Sequence, residues 1–419
     1  MRLSRSLHTR GCTLCVVVIT TLCCSRAIAS DGFEPIGVSL QAAARGGADV
    51  AVGDTALSQI DNPATLALQP RDRLKFDLGS EVAIVHNVWS GPLGDAGSQA
   101  RVFPLLNTGV SIPINDQLTL GTALHSRGGF GSKFRQRHLL TPFMDRRVGS
   151  DLKVIGIPVN LAYRITDRLS AGIGFRLETV TARFGTVLGP ADVEVTRGYA
   201  LGAGIQAGLH YQARDDLAFG LGYRSPSWFN DLHGGRAKAS LLGLLPVPLG
   251  DVNVDSVRMP QRLAFGAAWD VTPRIKLVGE ARWINYENST LNSTVLAIDG
   301  PIDVRYPLPL GYRDQGAFMI GSDIKLTEHW KLALGYHYAM PNIDRKNVFP
   351  LGSIIADHHA TFGLRYETEK WWAGTGYVIG FANTLRGNGC SRIPLGLDYG
   401  FASVRQTQHA ILIGFGFQL

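Results

Sequence analysis

The sequence predicts an all-β fold: a 14-stranded antiparallel transmembrane β-barrel of the bacterial outer membrane, with an N-terminal hatch (a plug) inside its lumen. Three observations predict it. Apolar residues recur with a period of two along nearly the whole chain. Glycine is abundant, at 49 residues, while charged residues make up only 18%. Past the leader no run of about 18 apolar residues occurs, so a membrane crossing has to use strands rather than helices.

The leader comes first. Arg2, Arg5 and Arg10 precede an apolar stretch from Cys12 to Cys24, and Ala27-Ile28-Ala29 follows. These are the three parts of a secretory signal peptide, predicted over 1–29 with cleavage after Ala29. The residues before Cys23 and Cys24 are not the small ones that a lipoprotein site requires. Four of the five cysteines lie in the leader, which leaves Cys390 alone and excludes an intramolecular disulfide. The leader also holds four arginines and no acid. Removing them takes 41 basic residues to 37 against 34 acidic ones, a mature charge of +3. Basic character therefore belongs mostly to the leader, and nucleic acid is not an expected partner.

Fourteen alternating segments follow, at 73–89, 100–113, 117–127, 152–165, 168–183, 198–213, 216–225, 257–271, 274–287, 312–326, 329–340, 357–367, 370–384 and 405–419. In the last, Ile411, Ile413, Phe415 and Phe417 alternate with glycine and glutamine. A soluble sandwich turns such apolar residues inward, whereas a membrane barrel turns them to lipid and keeps Gly, Gln and charges for the lumen. The links decide between these. Every second one is a tight turn: Asn115-Asp116, Thr166-Asp167, Arg214-Asp215, Thr272-Pro273, Thr327-Glu328 and Thr368-Glu369. The others are longer, at 128–151, 226–256, 288–311, 341–356 and 385–404. Short and long links in turn, with an even strand count, are the outer-membrane pattern; they put the short turns and both termini in the periplasm.

About eight strands is the size at which a barrel fills its own interior. Fourteen leave room, and residues 30–72 have no strand partner, so they are expected to form the plug ahead of a barrel over 73–419. Ala42-Ala43-Ala44 and 48–57 are candidate short helices, broken by Gly46-Gly47 and Gly53. The apolar run Asp54 to Pro70 is interrupted at Asn62-Pro63, and proline pushes Asn62 towards extended backbone.

With these features in place, the chain resembles the FadL-type outer-membrane transporters of long-chain fatty acids and other hydrophobic compounds. Asn62-Pro63-Ala64, preceded by Ala44-Arg45-Gly46-Gly47-Ala48, looks like the family's hatch motif. Pro113-Ile114-Asn115-Asp116-Gln117 looks like the turn into the third strand. Gly128-Gly129-Phe130-Gly131 falls where that strand kinks in the family and opens a gap in the wall. Gly311-Tyr312-Arg313-Asp314 is similar to the start of the tenth strand. The final Phe417-Gln418-Leu419 departs from the family's usual aromatic end, and the loops at 128–151 and 226–256 are shorter than in the best-known relatives.

The resemblance implies passive uptake of a hydrophobic molecule by a monomer in outer-membrane lipid, with lateral release through the wall. Long-chain fatty acids are the first expectation; aromatic hydrocarbons or the open path of a general diffusion porin are the alternatives. An acyl chain of ~16 methylenes would gain on the order of 13 kcal/mol from burial before the costs of binding. The site then needs apolar surface and a cation or two. Loop 226–256 offers the surface, through Trp228, Phe229, Leu241, Leu242, Leu244, Leu245, Val247 and Leu249. Arg313 is the first candidate for a carboxylate, since parity with Phe318 and Ile320 turns it into the lumen. Arg183 matches a second basic position of the family, although its parity with Ile173 and Phe175 turns it outward unless a bulge intervenes. No G-x-S-x-G, P-loop or H-E-x-x-H occurs, so neither an enzyme nor a cofactor or metal is expected. His358-His359 is the one adjacent pair, and strand neighbours face opposite sides.

Overall fold

The computed structural model describes residues 31–188, 191–241, 246–301, 303–394 and 396–419. The leader predicted over 1–29 lies outside them. Fourteen strands form one closed antiparallel wall. They are β1 (Lys75–Gly91), β2 (Val102–Pro113), β3 (Leu118–His138), β4 (Thr141–Arg164), β5 (Leu169–Leu188), β6 (Ala191–Arg214) and β7 (Leu217–Arg224). The second half comprises β8 (Arg262–Thr272), β9 (Ile275–Ile284), β10 (Gln315–Lys325), β11 (Trp330–Ala339), β12 (His358–Glu367), β13 (Trp371–Arg386) and β14 (Ser403–Gln418). Pairing of β1 with β14, from Lys75↔Gln418 to Ser90↔Ser403, closes the ring. All six predicted tight turns gather at one end of the barrel, the turn end, and the other links at the opposite, loop end; 128–151 is not a long link there, because β3 and β4 stay paired down to a turn at 139–140.

Two-residue periodicity produces the inverted pattern. On β4, Ile155, Ile157, Val159, Leu161 and Tyr163 are exposed, while Val154, Gly156, Asn160 and Ala162 are buried. Exposed Tyr163, Tyr211, Trp269, Trp330 and Trp371 ring the turn end, where amphipathic aromatics favour a membrane interface. β4 and β6 have 24 residues each, more than twice the ~11 that suffice to cross a bilayer, so they project past it. The link 226–256 is not irregular. Its Leu232–Leu241 pairs with β6, then with Val247–Val254, which pairs with Thr294–Asp299 of the next link.

Residues 31–72 fill the lumen and are almost wholly buried up to Ala67. One helical turn, α1 (Leu40–Ala44), is capped by Ser39, whose Oγ accepts from the Ala42 N–H at 3.0 Å. Two 3₁₀ segments follow, Ala56–Ile60 and Pro63–Leu68. The expected helix over 48–57 does not form, because Gly53 turns the backbone into the left-handed region at φ +67° and ends the turn begun at Asp49. Glu280 on β9 accepts from the N–H groups of Asp49 at 2.7 Å and Val50 at 2.9 Å.

The lumen glycines answer to this plug. A Cβ at Gly172 would lie 2.4 Å from the Pro63 carbonyl carbon, and one at Gly208 would lie 1.9 Å from Asn62 Oδ1. Overpacking at such a contact costs about 1–3 kcal/mol. Gly208→Ala should therefore lower the thermal unfolding midpoint in detergent, while Ala207→Gly, on the lipid face, should lower it much less; equal shifts would contradict this account.

Candidate transport path

The loop-end half of the barrel is apolar inside. Trp89, Phe134, Val148 and Val180 point inward from β1, β3, β4 and β5, and the long links fold in to meet them. Val348, Phe349, Leu351 and Ile355 come from one link, Ile393 and Tyr399 from another, and Phe33 from the plug, all in one contiguous cluster. Tyr399 stands edge-on to Trp89 at 5.5 Å and to Phe349 at 5.2 Å, each pair adding about 0.5–1.5 kcal/mol beyond area burial. An apolar lining with few polar groups suits a hydrophobic ligand.

The wall beside this cluster has a gap. β2 pairs with β3 only from Pro113↔Thr119 to Thr108↔Leu124. Past that point β2 stays with β1 and β3 with β4. A register shift between Ser126 and Gly128 marks where β3 departs. The two edges meet again where the Gln99 N–H donates to the Lys133 carbonyl at 2.7 Å. An unpaired backbone group facing lipid costs several kcal/mol, so these edges need partners. Asn107 Oδ1 accepts from the Ser126 N–H at 2.9 Å, and the plug's Phe33 carbonyl accepts from the Gly129 N–H at 3.2 Å. Gly128 admits that carbonyl, since a Cβ there would sit 2.4 Å from it. A Cβ on Gly131 would meet the Phe103 ring at 2.7 Å. Phe130 packs on the apolar cluster, while Val102, Leu106 and Leu124 are exposed along the gap's outer rim. The apolar cluster of the loop-end interior thus reaches, at Phe33 and Phe130, the break in β2–β3 pairing, called the window below.

Deeper in the lumen charges replace it. Arg127, Arg176, Arg224, Arg262 and Arg282 are buried, and they meet Asp31, Glu34 and Asp61 of the plug with Glu178 and Glu280 of the wall. Arg282 lies 2.9 Å from Asp31 and 2.6 Å from Glu280, Arg224 lies 3.1 Å from Glu34, and Arg262 contacts Asp61 more closely still. Nearer the turn end Arg45 is fully buried against Asp49 at 2.6 Å, Asp54 at 2.9 Å and Asp323 at 2.9 Å. Buried charges are tolerated only when paired this well. An apolar molecule moving down the axis would have to replace those pairings with nothing.

Asn62-Pro63-Ala64 ties the lumen segment to the wall. Asn62 is extended, at φ −146°, and its amide donates to the Val50 carbonyl at 2.8 Å and the Leu209 carbonyl of β6 at 2.9 Å. Its Oδ1 accepts from the Ala64 N–H at 3.0 Å, with Pro63 starting the 3₁₀ segment.

Neither candidate cation lies in the lumen: Arg313 departs from its strand parity, whereas Arg183 follows its own and faces outward. Arg313 is exposed and bonded to Asp344, and Tyr312 takes the buried inward position instead, donating to the Gly352 carbonyl at 2.5 Å. The β10 ladder starts only at Gln315, and Gly311 at φ +75° turns the chain before it, so strand parity does not extend back to 313. The Lys346 N–H, and then Arg313, hold the Asp344 carboxyl below its ordinary range. Arg183 faces outward on β5, 3.4 Å from Asp151; the register shift between Ala182 and Phe184 does not turn it into the lumen.

The candidate groove divides. Phe229 is buried in the apolar cluster, whereas Trp228 faces out with the Arg258 guanidinium 5.8 Å from its ring centre. Leu241 and Val247 are exposed near the end of the projecting ribbon, and Leu249 packs against the small cluster of Val195, Ala237, Val252 and Ile298. Leu242, Leu244 and Leu245 lie outside the described residues. A cavity of about 470 Å³ in the projecting sheet, lined by Asp231, His233, Asp255, Asp299 and Arg305 among others, is polar.

Residues 21–352 match the family described as outer membrane protein transport protein (OMPP1/FadL/TodX), which is well over half of the chain. The chain belongs to the FadL/TodX family. No curated protein sequence matches it. Among solved structures it is similar to the toluene transporter TodX of Pseudomonas putida, with a TM-score of 0.78, 19% identity, and coverage of 92% of this chain and 99% of that one. It is also similar to the toluene transporter TbuX of Ralstonia pickettii, with a TM-score of 0.75 at 19% identity, covering 92% and 99%. A FadL homologue of Pseudomonas aeruginosa gives 0.73 at 16% identity, again covering 92% and 99%. At these identities the TM-scores show a shared fold and no more. As a FadL/TodX-family barrel the chain is a transport protein of the outer membrane.

Strand periodicity marks 341–356 and 385–404 only as links and does not point to Val348, Phe349, Leu351, Ile355, Ile393 or Tyr399. A signal was there. The run 347–356 holds five large apolar residues, Val348, Phe349, Leu351, Ile354 and Ile355, more than an idle surface loop would show.

Proposed function

We propose that this protein carries small, uncharged hydrophobic molecules, of the monoaromatic hydrocarbon kind, passively across the outer membrane and releases them sideways through the β2–β3 window. One observation carries the reading. The apolar interior reaches that window at Phe33 and Phe130, while the axial route below is crossed by paired charges. Sideways exit keeps the ligand on apolar surface throughout. The ligand leaves unchanged, without catalysis, cofactor or metal, and the unit is a monomer. The loop end faces outward from the cell, and both termini lie in the periplasm. Residues 30–72 act as the hatch.

The preference for uncharged ligands follows from the cations. Arg313 and Arg183 are held by Asp344 and Asp151 outside the lumen, and the five arginines of the buried belt each contact a carboxylate. A fatty acid would have to break one of these pairs to place its headgroup on any of these seven arginines. Two of the similar structures are toluene transporters, which agrees with this preference. Long-chain fatty acids are the second reading, and Arg313 the residue it would use. Initial uptake rates of labelled toluene and of a labelled long-chain fatty acid, in cells with and without the protein, separate the two. A several-fold gain for toluene alone is expected. A gain for the fatty acid alone, abolished by Arg313→Glu, would establish the second reading, and no gain for either would overturn both.

A further inference from the structure

The outer wall of β3 to β6 changes character towards the loop end. On β4 the outward positions run Leu161, Val159, Ile157 and Ile155, and then Lys153, Asp151 and Arg147. On β5 they run from Phe175 and Leu177 through two threonines to Arg183, and on β6 from Leu201 through Tyr199 to Arg197. Asp151 and Arg183 face each other in the ladder. Three cations converge on that one carboxylate: Arg197 at 3.2 Å, Arg183 at 3.4 Å and Lys153 at 3.7 Å. Among the described residues none of the three is paired with another acid, so three positive charges less one negative leave a surplus of two.

The surplus grows further out. Arg147 stands directly opposite Arg135 of β3, both exposed and neither in an ion pair among the described residues, with exposed Lys133 one outward position nearer the membrane. Like charges facing across a ladder repel, so this register is unfavourable unless an anion lies over it. From Lys153 to Arg147 the patch extends about 20 Å along the strand.

We propose that this patch binds the phosphorylated headgroup of an outer-leaflet lipid. The occupant follows from continuity. The cations begin one outward position beyond Ile155, so a single molecule with apolar chains and an anionic head would cover both the bare belt and the surplus charge. Phosphate also suits the residues, because guanidinium forks pair bidentately with it. This explains the position of Arg183: it is a wall cation facing lipid rather than a lumen cation facing cargo.

The proposal rests on the orientation given above, which has its own test. Cys390 is exposed and lies in a loop-end link, so a membrane-impermeant maleimide should label it on intact cells. If it does not, the orientation fails first. The patch is tested with the purified full chain and two probes, bisphosphorylated lipid A and the same lipid dephosphorylated. Native mass spectrometry should show the phosphorylated lipid retained and the other not, and the thermal midpoint should rise with the first alone. The variant Lys153→Gln/Arg183→Gln/Arg197→Gln, with Asp151→Asn to avoid an orphaned carboxylate, should lose roughly tenfold or more of that retention. Arg135→Gln/Arg147→Gln, which breaks no ion pair, should lose a smaller share and guards against a folding defect in the first. Undiminished retention in both variants would overturn the proposal. So would inorganic phosphate raising the midpoint as much as lipid A does, which would make the patch a site for free anions.

Discussion

Replacing Arg45 with alanine should turn a closed barrel into an ion-conducting one. The guanidinium is fully buried and joins two carboxylates of the plug, Asp49 and Asp54, to Asp323 on the wall. Removing one partner of a buried pair costs about 3–5 kcal/mol, because the charges left behind have neither water nor counterion. Asp54 would keep Arg365 at 3.1 Å, but Asp49 and Asp323 would lose their one ion-pair partner among the described residues. Water entering to solvate them would displace the plug, and a wall of this size encloses more space than its own side chains fill. Planar bilayers should show long-lived current steps for Arg45→Ala and almost none for the parent. Adding Asp49→Asn and Asp323→Asn should reduce the current again, since neutral amides tolerate the site better. A silent Arg45→Ala barrel, folded to the parent's extent, would show that the plug is held by something else.

The second large effect is expected at the window. Gly129→Val is a poor probe, because a Cβ there would lie 2.4 Å from the Leu152 carbonyl and would strain the β3–β4 ladder itself. Gly131 is better placed. Its Cβ would meet a ring edge, Phe103 at 2.7 Å, and only then the Ser150 carbonyl at 3.5 Å. A ring can turn where a backbone cannot, so Gly131→Leu should leave the barrel assembled while its side chain lies across the gap. Uptake of the transported hydrocarbon should fall at least several-fold, with equal amounts of folded protein in the membrane. Full uptake through that variant would remove the window from the route and leave the axial path to be explained.

Much of the architecture was legible because strand periodicity and turn chemistry are local. Each of the fourteen predicted segments overlaps one wall strand, and the six tight turns fall between the expected pairs. Asn62 is extended, as the following proline requires. What the sequence did not disclose depends on contacts between distant residues. Residues 48–57 are anchored through the Asp49 and Val50 amides to Glu280 on β9, a partner more than 200 positions away. Arg313 follows strand parity only if the ladder reaches it, and Gly311 ends that extrapolation. The apolar lining came mostly from links that carry no periodicity of their own. The apolar run 347–356 signals burial, but where such a link folds is set by what lies beneath it.

The fastenings of the plug also impose an order on assembly. Arg45 is fixed by Asp323, 278 positions later, and Asp54 by Arg365, 311 positions later. The segment made first is therefore locked by strands from the last third of the chain. Closure of the wall itself waits for β14 to reach β1. Until then the plug's carboxylates and the belt's arginines are exposed to whatever escorts the chain, and contacts spanning most of a sequence are slow to form. A nascent barrel of this kind carries a highly charged half-lumen that only completion neutralises, so its folding helpers must shelter charge as well as grease.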